Sequence, residues 1–359
     1  MKIFLGFDFY GAGNIGDDLM MAGFLDVLKH YLPAKLACIT PHNIASQVNR
    51  FPDVEWLPAG HVNRLDVMTN TDCWVGVGGT PFQMTGGPWL LNRILNDLRI
   101  IKEYGKSIYM LGVGAEREVL VNADIVKTVL ERIDYIWTRD RFTKDLLVKR
   151  LGFDSEKIHT GGDLANISLQ NIFSDNNSIS KRHYDLALTY YSESHIKKER
   201  NNLRKFIENI SVNKSVIFVA NETRKNSSFE HGIYRAMFGG LRSLFKKAPI
   251  KYYAPNYDNC ELEELVKHFL DYKVVMASRY HALLAGAWAG CRLVALSRSS
   301  KIEALATELD IPIVEQPFNL GALYNGYKDA KYVSRDKLNE MAERASNSIL
   351  DFCNRVKHC

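Results

Sequence analysis

The chain has 359 residues, 46% hydrophobic and 24% charged, with a formal net charge of +5. That length exceeds one ordinary core and suits two domains of about 150–180 residues each, built without help from disulfides or metals. The basic residues are scattered, with one short cluster at Lys197, Lys198 and Arg200, which argues against a nucleic-acid partner and suits small anionic substrates or an anionic membrane surface.

The six cysteines form no CxxC pair, so the chain reads as neither a zinc protein nor a disulfide framework, and it fits a reducing compartment. The opening MKIFLGFDFYGAG is a first strand, broken by Asp8 and three glycines before it could act as a signal peptide. No apolar run approaches the roughly 18 residues of a membrane helix, so any membrane contact is expected to be peripheral.

In chain order, strands are predicted at residues 2–7, 35–40, 73–77, 107–113 and 135–138, with amphipathic helices over 89–105 and 123–134. From about residue 167 to 184 the sequence turns Ser- and Asn-rich and loses its period, so the domain boundary is placed there. The alternation restarts with strands at 185–191, 215–220, 251–254, 273–277 and 292–297, and helices over 195–210 and 260–271. One long amphipathic helix closes the chain over 335–356. Strand–helix alternation implies α/β architecture with parallel sheets. Two Rossmann-like domains in tandem, 1–170 and 184–330, would face each other across a cleft. The closing segment 331–359 is a candidate to cross back to the first domain. In open parallel sheets ligands sit at the carboxyl ends of the strands, so the loops after the strands are where chemistry is sought.

The first such loop runs Gly11-Ala12-Gly13-Asn14-Ile15-Gly16-Asp17-Asp18 and contains GxGxxG. A dinucleotide site would want an acid at the end of the second strand, roughly 20 residues on, to hold a ribose hydroxyl. That strand ends Ile39-Thr40-Pro41, without one. Two carboxylates directly after the third glycine also repel a pyrophosphate. The loop is better suited to bring Asp17 or Asp18 to a hydroxyl substrate, while either acid can equally cap the next helix. Gly78-Gly79-Thr80 after the third predicted strand, and Gly112-Val113-Gly114 after the fourth, repeat the layout, as ligand loops or as tight turns.

Arg139 ends the fifth predicted strand, where a guanidinium can grip a carboxylate or phosphate by two parallel bonds, or form a surface pair with Asp140 or Asp145. Further on, KVVMA feeds Ser278-Arg279-Tyr280-His281 and a helix of small residues. Histidine transfers protons near neutrality, and this placement beside Arg279 favours a functional reading of His281. The other nine histidines are left as structural. Ser297-Arg298-Ser299-Ser300-Lys301 follows the next strand, and Ser and Lys at a helix start suit a phosphate. No HExxH, EF-hand, Walker A or GxSxG pattern occurs, so neither an obligatory metal nor covalent serine chemistry is expected.

GNIGDD, VGGT, TRDRFTKDLL, GGDLAN and SRYHALLAGAWAG, in this order and spacing, resemble the polysaccharide pyruvyl transferase family from Gly13 to about Leu309. The resemblance implies a glycosyltransferase-B-like (GT-B-like) fold, phosphoenolpyruvate as donor and a sugar of a bacterial surface polysaccharide, or its lipid-linked precursor, as acceptor. No cofactor is implied. The family's Arg-x-His falls on Arg279 and His281, its Gly-Asp on Gly16 and Asp17, its first-domain Arg on Arg139 and its late Lys on Lys301. Tyr280 stands where other members often have Leu.

The expected catalytic residues are therefore His281 and Asp17. Arg279, Lys301, Arg139, Tyr280, Asn14, Gly16, Asp18, Gly78, Gly79 and Thr80 are expected at the substrate. The donor would lie on the second domain and the acceptor on the first, at a cytoplasmic location on or near the inner membrane face. A sugar-nucleotide glycosyltransferase of the same fold is the alternative, with Glu222 or Glu303 on a ribose. A non-catalytic sugar binder would have no use for a histidine so placed.

Overall fold

The computed structural model describes residues 1–357 apart from 43, 85–86, 175–181, 192–196, 222–228, 239–249 and 259. The chain forms two compact units, one of residues 1–12, 16–170 and 339–359, the other of 13–15 and 171–338.

The first unit carries β1 (Lys2–Leu5), α1 (Ile15–Tyr31), β2 (Lys35–Thr40), α2 (Ala45–Arg50), β3 (Val54–Pro58), α3 (Arg64–Thr69), β4 (Cys73–Val77), α4 (Trp89–Glu103), β5 (Ser107–Val113), α5 (Ala123–Leu130), β6 (Tyr135–Thr138), α6 (Arg141–Asp145), β7 (Ile158–Thr160) and α7 (Ala165–Phe173). Its sheet runs β3-β2-β1-β4-β5-β6-β7, every pair parallel. The central strands are apolar along their whole length because helices cover both faces, as in CWVGV of β4, buried at all five positions.

The second unit carries β8 (Leu186–Thr189), α8 (Lys197–Ile210), β9 (Val216–Val219), α9 (Phe229–Phe238), β10 (Lys251–Tyr253), α10 (Glu264–Lys267), β11 (Val274–Ala277), α11 (Tyr280–Trp288), β12 (Arg292–Leu296), α12 (Ser300–Leu309), β13 (Ile313–Val314) and α13 (Leu320–Lys328). Its sheet is again all parallel, in the order β10-β9-β8-β11-β12-β13. Both sheets therefore reverse direction next to their first strand, between β1 and β4 and between β8 and β11. Such a switch point leaves a crevice at the strands' carboxyl ends.

The last helix, α14 (Arg335–Lys357), passes from the second unit to the first at residue 339. Its buried Ala345, Ile349 and Phe352 recur at helical spacing, and the Phe352 ring meets Tyr109 at 5.3 Å and Phe24 at 6.2 Å. Asp351 accepts the Trp137 indole N–H at 3.1 Å.

Three strands, β3, β7 and β13, lie outside the sequence expectation, and all three are sheet edges. An edge strand is half solvated and short, so it shows no apolar run; β3 ends on Pro58, which an edge tolerates. The predicted loss of pattern from residue 167 is also corrected, since α7 extends to Phe173. Asn166 and Ser168 are buried on it because they bond the Asp163 and Leu19 carbonyls, at 3.0 and 2.5 Å, which hides the helical period. The helix expected over 260–271 is a single α turn, α10, tightened into a 3-10 turn at His268–Asp271.

Candidate active site

In the first unit, the loop after β1 is stitched to both neighbouring strands. The Tyr10 hydroxyl donates to Val77 O at 2.7 Å and the Thr40 hydroxyl donates to Tyr10 O at 2.8 Å. Thr40 thus closes the loop at the position where a dinucleotide site would want an acid. Burial pushes the Tyr10 phenol well above its ordinary range, and the nearby Cys38 and Asp17 add to this, so it stays neutral.

Gly16, Asp17 and Asp18 then open α1, where two acids in the first turn suit the positive end of the helix. Asp18 was expected at the substrate, but it is 0% exposed. Its Oδ2 takes Arg50 Nη1 at 2.5 Å and Gln47 Nε2 at 3.4 Å, both from α2. Removing that charge from water requires a partner, and Arg50 supplies it. Asp17 keeps 8% exposure.

Gly78 and Gly79 have φ of +69° and +74°, which L side chains avoid. A Cβ would come within 2.6 Å of Met20 Sδ at Gly78 and 2.7 Å of the Phe9 ring at Gly79. The side-chain directions of this glycine pair therefore point at the protein's own α1 and β1 loop.

Thr80 meets Arg139, whose Nη1 donates to the Thr80 hydroxyl oxygen at 3.3 Å and whose Nε donates to Asp140 Oδ2 at 3.1 Å. Arg139 is 2% exposed and lies across Gly114, where a Cβ would stand 2.4 Å from its guanidinium carbon. Its pairing with Asp140 is therefore buried. Asp140 also caps α6, accepting Thr143 N–H at 2.6 Å.

In the second unit, three adjacent strand ends converge. Ser278, after β11, donates its N–H to Thr189 O at 2.9 Å, and its hydroxyl exchanges bonds with the Tyr191 backbone at 2.8 and 3.0 Å. This fixes Tyr191 and Arg279 on either side of the switch point. Arg279 is the N-cap residue of α11, with extended φ and ψ of −108° and 128°. Its Nε donates to Glu230 Oε1 at 2.8 Å; Glu230, from α9, is 0% exposed and takes Asn221 N–H on Oε2 at 2.8 Å. Two charge-assisted bonds thus hold a buried carboxylate that orients Arg279.

Tyr280 is buried and His281 half-buried in the first turn of α11, their rings 5.2 Å apart. Arg298, after β12, brings its guanidinium carbon to 4.0 Å from the Tyr191 ring centroid, and Arg279 brings its own to 4.3 Å from the same ring. Ser299 and Ser300 lead into α12, and Lys301 is half-buried on its first turn.

The fold thus gathers Arg279, Tyr280 and His281 at the head of α11 and places Lys301 at the head of α12, all in the second unit together with Asn14. Gly16, Asp17, Asp18, Gly78, Gly79, Thr80 and Arg139 belong to the first. Glu303 accepts the Ser297 hydroxyl at 2.8 Å, and Glu222 lies outside the described residues. Sequence reasoning did not single out Arg50, Tyr191, Glu230 or Arg298 as site residues. Of these only Arg298 carried a signal, since it stands in the Ser-Arg-Ser-Ser-Lys loop. Among the described residues, no cluster of His, Cys, Asp and Glu would hold a metal ion.

Among solved structures, UDP-GlcNAc 2-epimerase from Methanocaldococcus jannaschii aligns with a TM-score of 0.66 at 13% identity, covering 98% of this chain and 99% of that one. S. aureus MnaA with UDP aligns at 0.65 and 12%, covering 100% and 95%. An alpha-glucosyltransferase in complex with UDP and DNA aligns at 0.51 and 10%, covering 99% and 97%. These likenesses establish a GT-B-type fold of two parallel-sheet units. The curated proteins hold no match. The model of the family described as polysaccharide pyruvyl transferase matches residues 14–300, which include Asp17, Arg139, Arg279 and His281, and the chain belongs to that family of transferases.

Proposed function

We propose that the chain transfers the pyruvyl group of phosphoenolpyruvate to two hydroxyls of a sugar as a ketal, releasing phosphate. The observation that carries this reading is the head of α11. There a carboxylate-anchored guanidinium, Arg279, is followed two residues on by His281. Arg279 and Lys301 hold the carboxylate and phosphate of the donor, and orientation of this kind supplies several kcal/mol of rate, on the order of what positioning gives elsewhere. Arg139, being buried against Thr80 and Asp140, acts by fixing the Thr80 loop.

His281 gives its proton to the methylene carbon, and the acceptor hydroxyl adds to the resulting cationic carbon. The hydroxyl gives up its proton as it adds. The carbon–phosphate oxygen bond then breaks, a second hydroxyl adds, and its proton leaves with the phosphate. One hydroxyl proton thus replaces that spent on the methylene carbon, and the other leaves on phosphate. The proposed acceptor is a sugar of a surface polysaccharide or its lipid-linked precursor. Among the described residues no helix is long and apolar enough to cross a membrane, so the +5 net charge is the feature that suits visits to an anionic membrane surface.

His281→Ala should lower turnover by about 10²- to 10⁴-fold, the usual contribution of a general acid, with the melting temperature unchanged. Wild-type turnover in that variant would remove His281 from the mechanism. The second reading, sugar-nucleotide transfer, draws on the UDP named with two of the fold relatives. It requires UDP-sugar binding and turnover without phosphoenolpyruvate.

A further inference from the structure

Tyr191, Arg279 and Arg298 come from the ends of β8, β11 and β12, three strands adjacent in the second sheet. Both guanidinium carbons lie within 4.3 Å of the centroid of one ring. An aromatic face attracts a guanidinium, so the one ring holds both side chains at the carboxyl ends of parallel strands, where open α/β sheets take their ligands. Glu230 holds Arg279 at 2.8 Å from the buried side, and Lys301 stands at the head of α12. An anion that reaches both guanidiniums would find two forks held by one ring. Each planar fork can then give two parallel N–H bonds to a phosphoryl or carboxylate group.

We propose that Arg298 is a second anion-binding guanidinium of this site, and that Tyr191 is the positioning residue that holds Arg279 and Arg298 as a pair. The ligand is a small anion bearing a phosphoryl group. The Tyr191 backbone is locked to Ser278 by bonds of 2.8 and 3.0 Å, and its ring meets both guanidiniums. The inference rests on the proposed donor only for the choice of first titrant.

The test is calorimetric titration of the full chain with phosphoenolpyruvate and, separately, with UDP, in wild type, Arg298→Gln, Tyr191→Leu and Tyr191→Phe. The expected result is phosphoenolpyruvate affinity weakened about 10- to 100-fold by Arg298→Gln. Tyr191→Leu should weaken it about 3- to 30-fold, and Tyr191→Phe, which keeps the ring, should restore most of that loss. In turnover, Arg298→Gln should raise the donor KM and leave kcat within about threefold, a split that a merely structural defect would not give. If UDP binds with this same dependence and phosphoenolpyruvate does not bind, the donor reading falls and the paired-guanidinium site stands. If the anion that binds wild type keeps its affinity in Arg298→Gln, the inference is overturned, whether or not phosphoenolpyruvate is that anion. Failure of both anions to bind wild type overturns it as well. Should Tyr191→Leu melt early, Arg298→Gln decides alone.

Discussion

His268 sits at the start of the 3-10 turn after α10, its Nδ1 within 2.9 Å of the Tyr272 hydroxyl and its ring 4.4 Å from that of Phe269. The residue keeps an edge in solvent, but Nε2 is enclosed, and burial lowers the imidazole from 6.5 to about 3. Below pH 6.5 the unfolded chain therefore takes up a proton that the folded chain refuses. Stability present above pH 6.5 is lost as the pH falls toward 3, by up to about 1.4 kcal/mol per pH unit. Denaturant titrations between pH 7 and 5 should show a shallower decline in His268→Phe than in wild type; equal slopes would mean that the imidazole is not held neutral.

The same scale shows what sequence alone could not decide. Two acids in succession, Asp17 and Asp18, were both legible as helix caps or as site residues, and both were expected at the site. That Asp18 is paired inside the fold depends on Arg50, 32 residues away and brought to it by α2. Glu230 and Tyr191 were equally silent, because a carboxylate at 0% exposure and a strand-end tyrosine acquire meaning only from Arg279 beside them.

At the scale of elements, α11 needs both ends held if its head is to present Arg279 and His281. Its C-terminal end is met by Arg182, whose Nη2 donates to the Ala289 and Gly290 carbonyls at 2.9 and 2.8 Å, while Nη1 donates to Tyr272 O. A cation there suits the negative end of the helix and satisfies carbonyls the helix leaves open. The Cys291 thiol beside it is pushed up to about 12, burial outweighing the opposing pull of Arg182. Arg182→Ala should cost about 1–3 kcal/mol, read as a lowered denaturant midpoint. An unchanged midpoint would mean that water replaces the guanidinium without loss. Elements with one buried stripe or a doubly covered strand were legible in sequence, as α4, α14 and β4 show. The edge strands β3, β7 and β13, and α7 with its buried Asn166 and Ser168, were not, because solvent on one side or internal polar bonds erase the apolar period.

At the scale of the whole molecule, the first unit is not continuous in sequence. It closes only when residues 339–359 return to it. Burying Ile349 and Phe352 is worth about 1.5–3 kcal/mol each, a large share of the roughly 5–15 kcal/mol by which a domain is stable. A chain stopped after residue 334 should therefore lose the cooperative unfolding of the first unit, followed through the near-ultraviolet dichroism of Trp137, which Asp351 and Phe352 hold in place. Retention of that transition would show that the unit needs no closing helix.

The donor is the center of the functional account, and its direct test is phosphate release from phosphoenolpyruvate with a panel of sugar and lipid-linked acceptors, the product checked for a pyruvyl ketal by mass spectrometry. The account predicts acceptor-dependent release, one phosphate per ketal, abolished in Arg279→Ala. Turnover of a nucleotide sugar with no ketal formed, and no binding of phosphoenolpyruvate by the wild-type chain, would contradict it.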